Sequence, residues 1–286
     1  MTLNNKTYNA KILLFGEYGI LFGYQAISIP YNRYCGSLVV ERSSHSLTDD
    51  LFRYVVDLKL NAEWDVKKAE YCFKQGLVFK SSIPQNAGVG SSGALVAALY
   101  DNFTEWKILN LPIVEIRNDL AKIESFFHGS SSGIDPLTAL LNKALHIDNN
   151  QKITVLEDLQ FPDGINLYLF NTGEKGETSK YVAPIIKALR NNPKSKEAEK
   201  YHEIFKTSDK TIISLLSGNP ESFTNSLHHL SALQLKHMSQ LIPNSAKKKA
   251  SETNTEIKLS GSGGGGYMQL YSSVPLVDKD LELVKF

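Results

Sequence analysis

Hydrophobic and polar positions recur along this chain with two different periods. "AKILLF" (10–15) is an unbroken apolar run stopped by Gly16, which predicts a buried strand. "GSLVVERS" (36–43), "FRYVVDLKL" (52–60) and "GLVFKSS" (76–82) are rich in β-branched and aromatic residues and read as strands. "DVKKAEYCFKQ" (65–75) has helical spacing, with Asp65 placed as its N-cap. The segment 91–109 reads as a helix, apolar on nearly every side at its start, which assigns it to an interior. Ile116, Leu120, Ile123 and Phe127 share one face of a second helix. "ALHID" and "KITVL" flank Asn149-Asn150 as a hairpin, and 165–172 is a strand. Helices are predicted over 178–190, 195–216 and 219–240, followed by strands "TEIKLS" and "YMQLYSS" on either side of Gly261–Gly266. Regular β-α-β-α alternation is missing, so the expected class is α+β. A boundary near residue 158 divides 1–158 from 159–286.

Composition narrows the partners. The chain has 286 residues, 42% hydrophobic and 21% charged, and a formal net charge of +1. That balance gives no strong attraction to nucleic acid or an anionic membrane. No apolar run reaches the ~18 residues of a membrane span, and the N-terminus lacks a signal-peptide layout. A cytoplasmic protein, monomeric or homodimeric, is expected. Cys35 and Cys72 form no metal-binding pattern and are expected as reduced thiols. Lys247-Lys248-Lys249 reads as a solvated helix face or loop. His228, His229 and His237 lack the spacing of metal ligands.

The chemistry starts at "NAGVGSSGALVAALY" (86–100). Gly88, Gly90 and Gly93 fit G-x-G-x-x-G, but Pro84-Gln85-Asn86-Ala87 separates them from the preceding strand, unlike a dinucleotide fingerprint. No lysine follows the last glycine, which excludes a Walker A loop. What remains is a flexible turn into a helix N-terminus, a cradle for phosphate, with Ser91 and Ser92 adding hydroxyls. A tight turn into a buried helix is the plainer alternative. "ESFFHGSSSGIDP" (124–136) ends a helix in Gly129 and three serines and presents Asp135 before a proline, which by itself only begins a turn. "KLSGSGGGGYMQLY" (258–271) sets four consecutive glycines between two strands, where backbone must pass close to something.

Taken in order, these segments resemble the GHMP kinase superfamily across nearly the whole chain. Pro84 through Gly88-Val89-Gly90-Ser91-Ser92 is similar to its motif P-x-x-x-G-[LV]-G-S-S, and 260–266 to its S/T-G-A-G-G-G-G. "NAKILLFGEYG" (9–19) resembles the motif P-G-K, strand, G-E-H. Glu124, His128, Gly129, Ser132, Gly133 and Asp135 reproduce a spacing of the mevalonate kinase branch, as does "NTGEKGETSK" (171–180), which reaches Thr178. Asn9-Ala10 departs from Pro-Gly, Ser262 from alanine, and Tyr18 stands where the family has histidine.

The resemblance implies a two-domain α+β fold. Its N-terminal ATP-binding domain is like the second domain of a small-subunit ribosomal protein, and its C-terminal domain is a ferredoxin-like α/β sandwich that completes the substrate site. It implies ATP and Mg²⁺ as cofactors and a small-molecule alcohol as acceptor, mevalonate first. The implied catalytic residues are Asp135 as base and Lys11 as its partner, with Ser92 and Glu124 as metal ligands. Pro84, Ala87, Gly88, Val89, Gly90, Ser91, Ser92, Gly93, Gly263 and Gly264 would bind the nucleotide. Glu17, Tyr18, Ser132, Gly133, Thr178, Gly261 and Ser262 would meet the acceptor. Another acceptor such as phosphomevalonate, homoserine or a sugar, a diphosphate decarboxylase, and a catalytically silent binding protein stay open as alternatives.

Overall fold

In the computed structural model, residues 2–41, 47–174 and 179–285 are described, the side chains of 128 and 179–181 excepted. The described chain is a mixed fold of helices and sheets, as the α+β pattern predicts. Strand β1 is Tyr8–Phe15 and β2 is Ala26–Val40, longer than the predicted strand because it starts well before Gly36 and runs through Pro30. Residues 42–43 of that expectation lie outside the described residues. Strand β3 is Leu77–Ser81 and pairs antiparallel with β2, Gly36 opposite Ser81 and Val40 opposite Leu77. With β4 (Ala144–Ile147) and β5 (Ile153–Leu156), these strands form a sheet ordered β1-β2-β4-β5, with β3 added on β2.

The segment 52–60 is a correction: it is no strand, and 52–56 belong to helix α1, Asp49–Val56, with 57–60 beyond its end. Thr48 caps it by accepting from the Leu51 N–H at 3.3 Å. Asp49 and Asp50 sit in the first turn, where the helix dipole favours negative charge. Leu51 and Val55, four residues apart, turn inward together. Cap and periodicity outweigh the strand propensity of Tyr54, Val55 and Val56. Helix α2, Val66–Lys74, starts at Asp65, whose side chain accepts from the Lys68 N–H at 2.9 Å. Helix α3, Ser91–Phe103, is shorter than predicted. Thr104 leaves it in extended conformation, bonds its hydroxyl to the Tyr100 carbonyl at 2.7 Å and bridges to Trp64. Helix α4 is Ile113–His128 and α5 is Ile134–Leu141.

The chain divides into two compact units, each discontinuous in sequence. The first comprises Met1–Lys11, Ser28–Pro84 and Gly90–Ala144. In it α3 packs against α2, α4 and α5, and α1 against α2 and α4. Asp119, fully buried on α4, accepts from the Tyr100 hydroxyl at 3.1 Å and from the N–H groups of Asn61 and Ala62. It thus pins the loop after α1 to the helix layer.

The second unit comprises Ile12–Ile27, Gln85–Val89 and Leu145–Phe286. Its sheet is ordered β7-β8-β6-β9, from β6 (Asn166–Asn171), β7 (Glu256–Lys258), β8 (Tyr267–Ser272) and β9 (Leu281–Leu283). Strands β6 and β8 are antiparallel, Asn166 opposite Ser272 and Asn171 opposite Tyr267. Helices α6 (Ser179–Asn191), α7 (Lys196–Leu216), α8 (Pro220–His237) and α9 (Asn244–Thr253) complete the unit. Helix α7 packs along α8, while α8 and α9 both lie on β7. The lysine run falls on α9, and Lys249 is less solvated than expected, held by Asp278 at 3.1 Å and Asp280 at 3.0 Å. Among the described residues no helix is long and apolar enough to cross a membrane.

Candidate functional site

Two clusters gather residues singled out in the sequence, one in each unit. In the first unit Lys11, near the middle of β1, points its ammonium at Asp135 Oδ2, 2.8 Å away. The lysine side chain is 3% exposed and the aspartate 28%, so the cation is sealed behind a carboxylate that still meets solvent. Asp135 sits in the first turn of α5. Pro136 follows in that turn, where its missing N–H would have had no intrahelical partner. The Asp-Pro pair therefore opens a helix rather than a simple turn.

Two glycines make this arrangement possible. Gly90 precedes α3 at φ +80, and a Cβ there would lie 2.7 Å from Lys11 Cγ. Only a residue without a side chain fits both the backbone angle and the lysine stem. Gly93, in the first turn of α3, lets the helix reach the Asp135 backbone, with an added Cβ 3.0 Å from the Asp135 carbonyl carbon. The first turn of α3, from Ser91, carries no side-chain cap. Its N–H groups are donors for an anion, reinforced by the helix dipole.

Ser92 Oγ stands 3.4 Å from Glu124 Oε1. That is a long hydrogen bond, and two hard oxygens so placed suit a shared small cation. Among the described residues no group of three or more His, Cys, Asp or Glu could hold a metal ion. A hydroxyl and one carboxylate fit Mg²⁺ in the form in which phosphates and water supply its remaining ligands. Glu124 is 4% exposed. Burial first, then the negative charge of Asp135, push its carboxyl up to about 7; hydrogen bonds from Ser131 and Ser92 and the charge of Lys11 oppose the rise.

A stability effect follows from that shift. The folded chain holds the Glu124 proton up to about pH 7, while the ordinary value is 4.5. Folding takes up a proton between those limits, so this group's contribution to metal-free stability falls as pH rises through the window. Glu124→Gln removes the dependence. Melting temperatures in chelator from pH 4.5 to 8 should show the variant gaining on the parent as pH rises; parallel curves contradict the assignment.

The loop 129–133 joins α4 to α5. Ser131, which the sequence did not single out, donates to Glu124 Oε2. Ser132 accepts at its carbonyl from Arg117 Nε at 2.7 Å, and its Oγ accepts from the Ile134 N–H at 3.4 Å. Gly133 caps α5 at φ +72, and a Cβ there would lie 2.4 Å from the Arg117 carbonyl oxygen. The side chain of His128 is not described.

In the second unit Glu17 follows β1 and pairs with Lys258 at the end of β7. Lys258 is fully buried; it also donates to the Leu259 carbonyl at 2.8 Å and lies 5.3 Å from the Phe15 ring centre. Tyr18, buried and at φ +60, donates its hydroxyl to the Ser262 carbonyl. Burial, then the Glu17 charge, push the phenol well above its ordinary range. The glycine-rich segment passes against 87–88: the Tyr267 N–H donates to the Ala87 carbonyl at 3.0 Å, and a Cβ on Gly88 would sit 2.9 Å from the Ser260 carbonyl oxygen. The Gly264 N–H donates to the Leu241 carbonyl at 2.6 Å. Ser260 Oγ is buried, and among the described residues it has no hydrogen-bond partner. Thr178 lies outside the described residues.

Sequence reasoning thus found Lys11, Asp135, Ser92 and Glu124 together and missed Ser131, Arg117 and Lys258. A serine inside a serine run and an arginine on a helix carry no positional signal. Lys258 could have been found as a charged residue closing the apolar-polar alternation of a short strand.

Residues 53–143 match the family profile described as GHMP kinases N terminal domain. Over 297 aligned residues the chain is 26% identical to the mevalonate kinase of Pyrococcus abyssi, covering 91% of this chain and 85% of that one. Two solved structures share the fold. One is the Methanococcus jannaschii mevalonate kinase, 21% identical, covering 93% and 90% of the two chains at TM-score 0.61. The other is the Streptococcus pneumoniae phosphomevalonate kinase, 16% identical, covering 98% and 97% at TM-score 0.63. The matched segment carries Ser92, Glu124 and Asp135, and over most of its length the chain is similar to kinases of this kind.

Proposed function

We propose that this protein transfers the γ-phosphate of ATP, with Mg²⁺, to the hydroxyl of a small alcohol, and that mevalonate is its acceptor. The observation that carries this is the Lys11–Asp135 pair, with Ser92 and Glu124 assembled in the same unit. Phosphoryl transfer asks a protein mainly for positioning and for charge balance.

Asp135, half-buried beside its buried cation, accepts the proton of the acceptor hydroxyl. Lys11 balances the negative charge left on that oxygen and holds the carboxylate in place from behind. The N–H groups at the start of α3, after Gly90, bind phosphate oxygens. Ser92 and Glu124 hold the cation. When bound, Mg²⁺ neutralises charge on the transferring phosphoryl group. In the second unit the motif resemblance alone singles out Glu17, Tyr18, Gly261 and Ser262 for the acceptor and Gly263 and Gly264 for the nucleotide. Tyr18, with its proton committed to the Ser262 carbonyl, is a neutral packing surface there and not an acid or base.

The test is an acceptor panel with ATP and Mg²⁺: mevalonate, phosphomevalonate, homoserine and hexoses, following ADP and carbon dioxide. ADP release with mevalonate and no carbon dioxide is expected. ADP release only with another acceptor would reassign the substrate. Carbon dioxide release would replace the kinase reading with a decarboxylase, and nucleotide binding without turnover on any acceptor would leave a silent protein.

A further inference from the structure

The two oxygens of Glu124 have different partners. Oε1 faces Ser92 Oγ at 3.4 Å, and Oε2 accepts from Ser131 Oγ. The Ser131 oxygen in turn accepts from the Gly133 N–H at 2.9 Å, immediately before α5 begins. A hydroxyl has a single proton and two lone pairs. With a lone pair engaged by Gly133, the proton is directed at the carboxylate. Ser132, the serine the motif points to, spends its Oγ on the Ile134 N–H instead.

We propose that Ser131 is a positioning residue of the phosphoryl-transfer site: it holds Glu124 Oε2 so that Oε1 is turned toward Ser92 and a divalent cation. A free glutamate side chain rotates about three bonds, and an anchored one presents its oxygen in one place. The same hydroxyl ties the carboxylate to the α5 N-terminus, and Asp135 lies two residues beyond Gly133. The cation-binding carboxylate and the proposed base are thereby held by one short loop. Arg117 fixes that loop from the other side through the Ser132 carbonyl. This inference rests on the reading of Ser92 and Glu124 as cation ligands. Groups that orient a ligand in this way typically contribute about 10–100-fold to metal affinity or activity.

The experiment uses the full chain and the variants Ser131→Ala, Ser131→Thr and Ser131→Val, with Mn²⁺ as paramagnetic probe in the presence of ADP. Electron paramagnetic resonance counts bound Mn²⁺ without turnover. Ser131→Ala and Ser131→Val are expected to weaken Mn²⁺ binding about 10–100-fold, while Ser131→Thr keeps it within a few-fold of the parent. ADP affinity in chelator should be the same in all four proteins. In assays the Mg²⁺ concentration for half-maximal activity should rise by the same factor, with the KM for the acceptor unchanged. Threonine and valine are isosteres, so this pair isolates the hydroxyl and decides the case if the alanine variant fails to fold. Equal Mn²⁺ affinity in the threonine and valine variants, a matching fall in metal-free ADP binding, or a parent that binds no Mn²⁺ with ADP would overturn the proposal. A parent that binds Mn²⁺ yet phosphorylates no alcohol would defeat the proposed function alone and leave the Ser131 comparison valid.

Discussion

Asp135→Asn is expected to lower kcat by about 10²–10⁴-fold, the usual contribution of a positioned general base. Asparagine keeps the size of the side chain and its place in the first turn of α5. It cannot accept the hydroxyl proton. Lys11 is 3% exposed and its ammonium lies 2.8 Å from Asp135 Oδ2, so the variant also leaves that cation without its carboxylate. The expected pattern is a loss in kcat with little change in the KM for ATP, since the N–H groups proposed to bind phosphate belong to a different helix. Steady-state kinetics over both substrates, with melting temperature as a control for folding, measure this. A kcat within a few-fold of the parent would remove Asp135 from the role of base. A fall in melting temperature large enough to account for the lost activity would assign the residue to the fold.

The second large effect belongs to stability. Lys258→Met is expected to cost about 3–5 kcal/mol, because it breaks a buried ion pair by removing the cation beside Glu17. Lys258 is fully buried and the Glu17 side chain is 4% exposed, so solvent relieves neither partner. The variant also gives up the bond to the Leu259 carbonyl and the contact with the Phe15 ring. The double variant Lys258→Met with Glu17→Gln should recover much of the loss, since a buried pair removed together leaves no orphan charge. Denaturant midpoints of the two single variants and the double variant form the cycle that measures it. Additive losses would show that the two side chains act independently.

The legible parts of this molecule were those where local chemistry and long-range structure agree. Asp65 and its helix, the Asn149-Asn150 hairpin and the strand 165–172 were readable because cap, turn residues and periodicity all pointed one way. The segment 52–60 was misread because its β-branched and aromatic residues favour a strand, while the deciding signal, Thr48 followed by two aspartates, lies just outside the window. Asp135-Pro136 reads as a turn because Asp-Pro usually is one. Here Gly133 supplies the left-handed residue that starts a helix, and proline is tolerated in the first turn. Strand β9 and helix α9 carry too few apolar positions to declare themselves. At the site, motif spacing placed Lys11, Ser92, Glu124 and Asp135 correctly beside one another in the first unit. The partners that orient them left no trace in the sequence. Which of three adjacent serines meets Glu124 is decided by the path of the 129–133 loop, and that path depends on Arg117 from another turn of α4.

The central claim is that this chain moves a phosphoryl group from ATP onto an alcohol oxygen. Phosphorus NMR of the full-length protein with ATP, Mg²⁺ and mevalonate tests it most directly. The predicted spectrum shows the γ-phosphate signal of ATP replaced, mole for mole, by a phosphomonoester as ADP accumulates. An ATP spectrum unchanged by mevalonate, or inorganic phosphate appearing in place of the ester, would contradict the account.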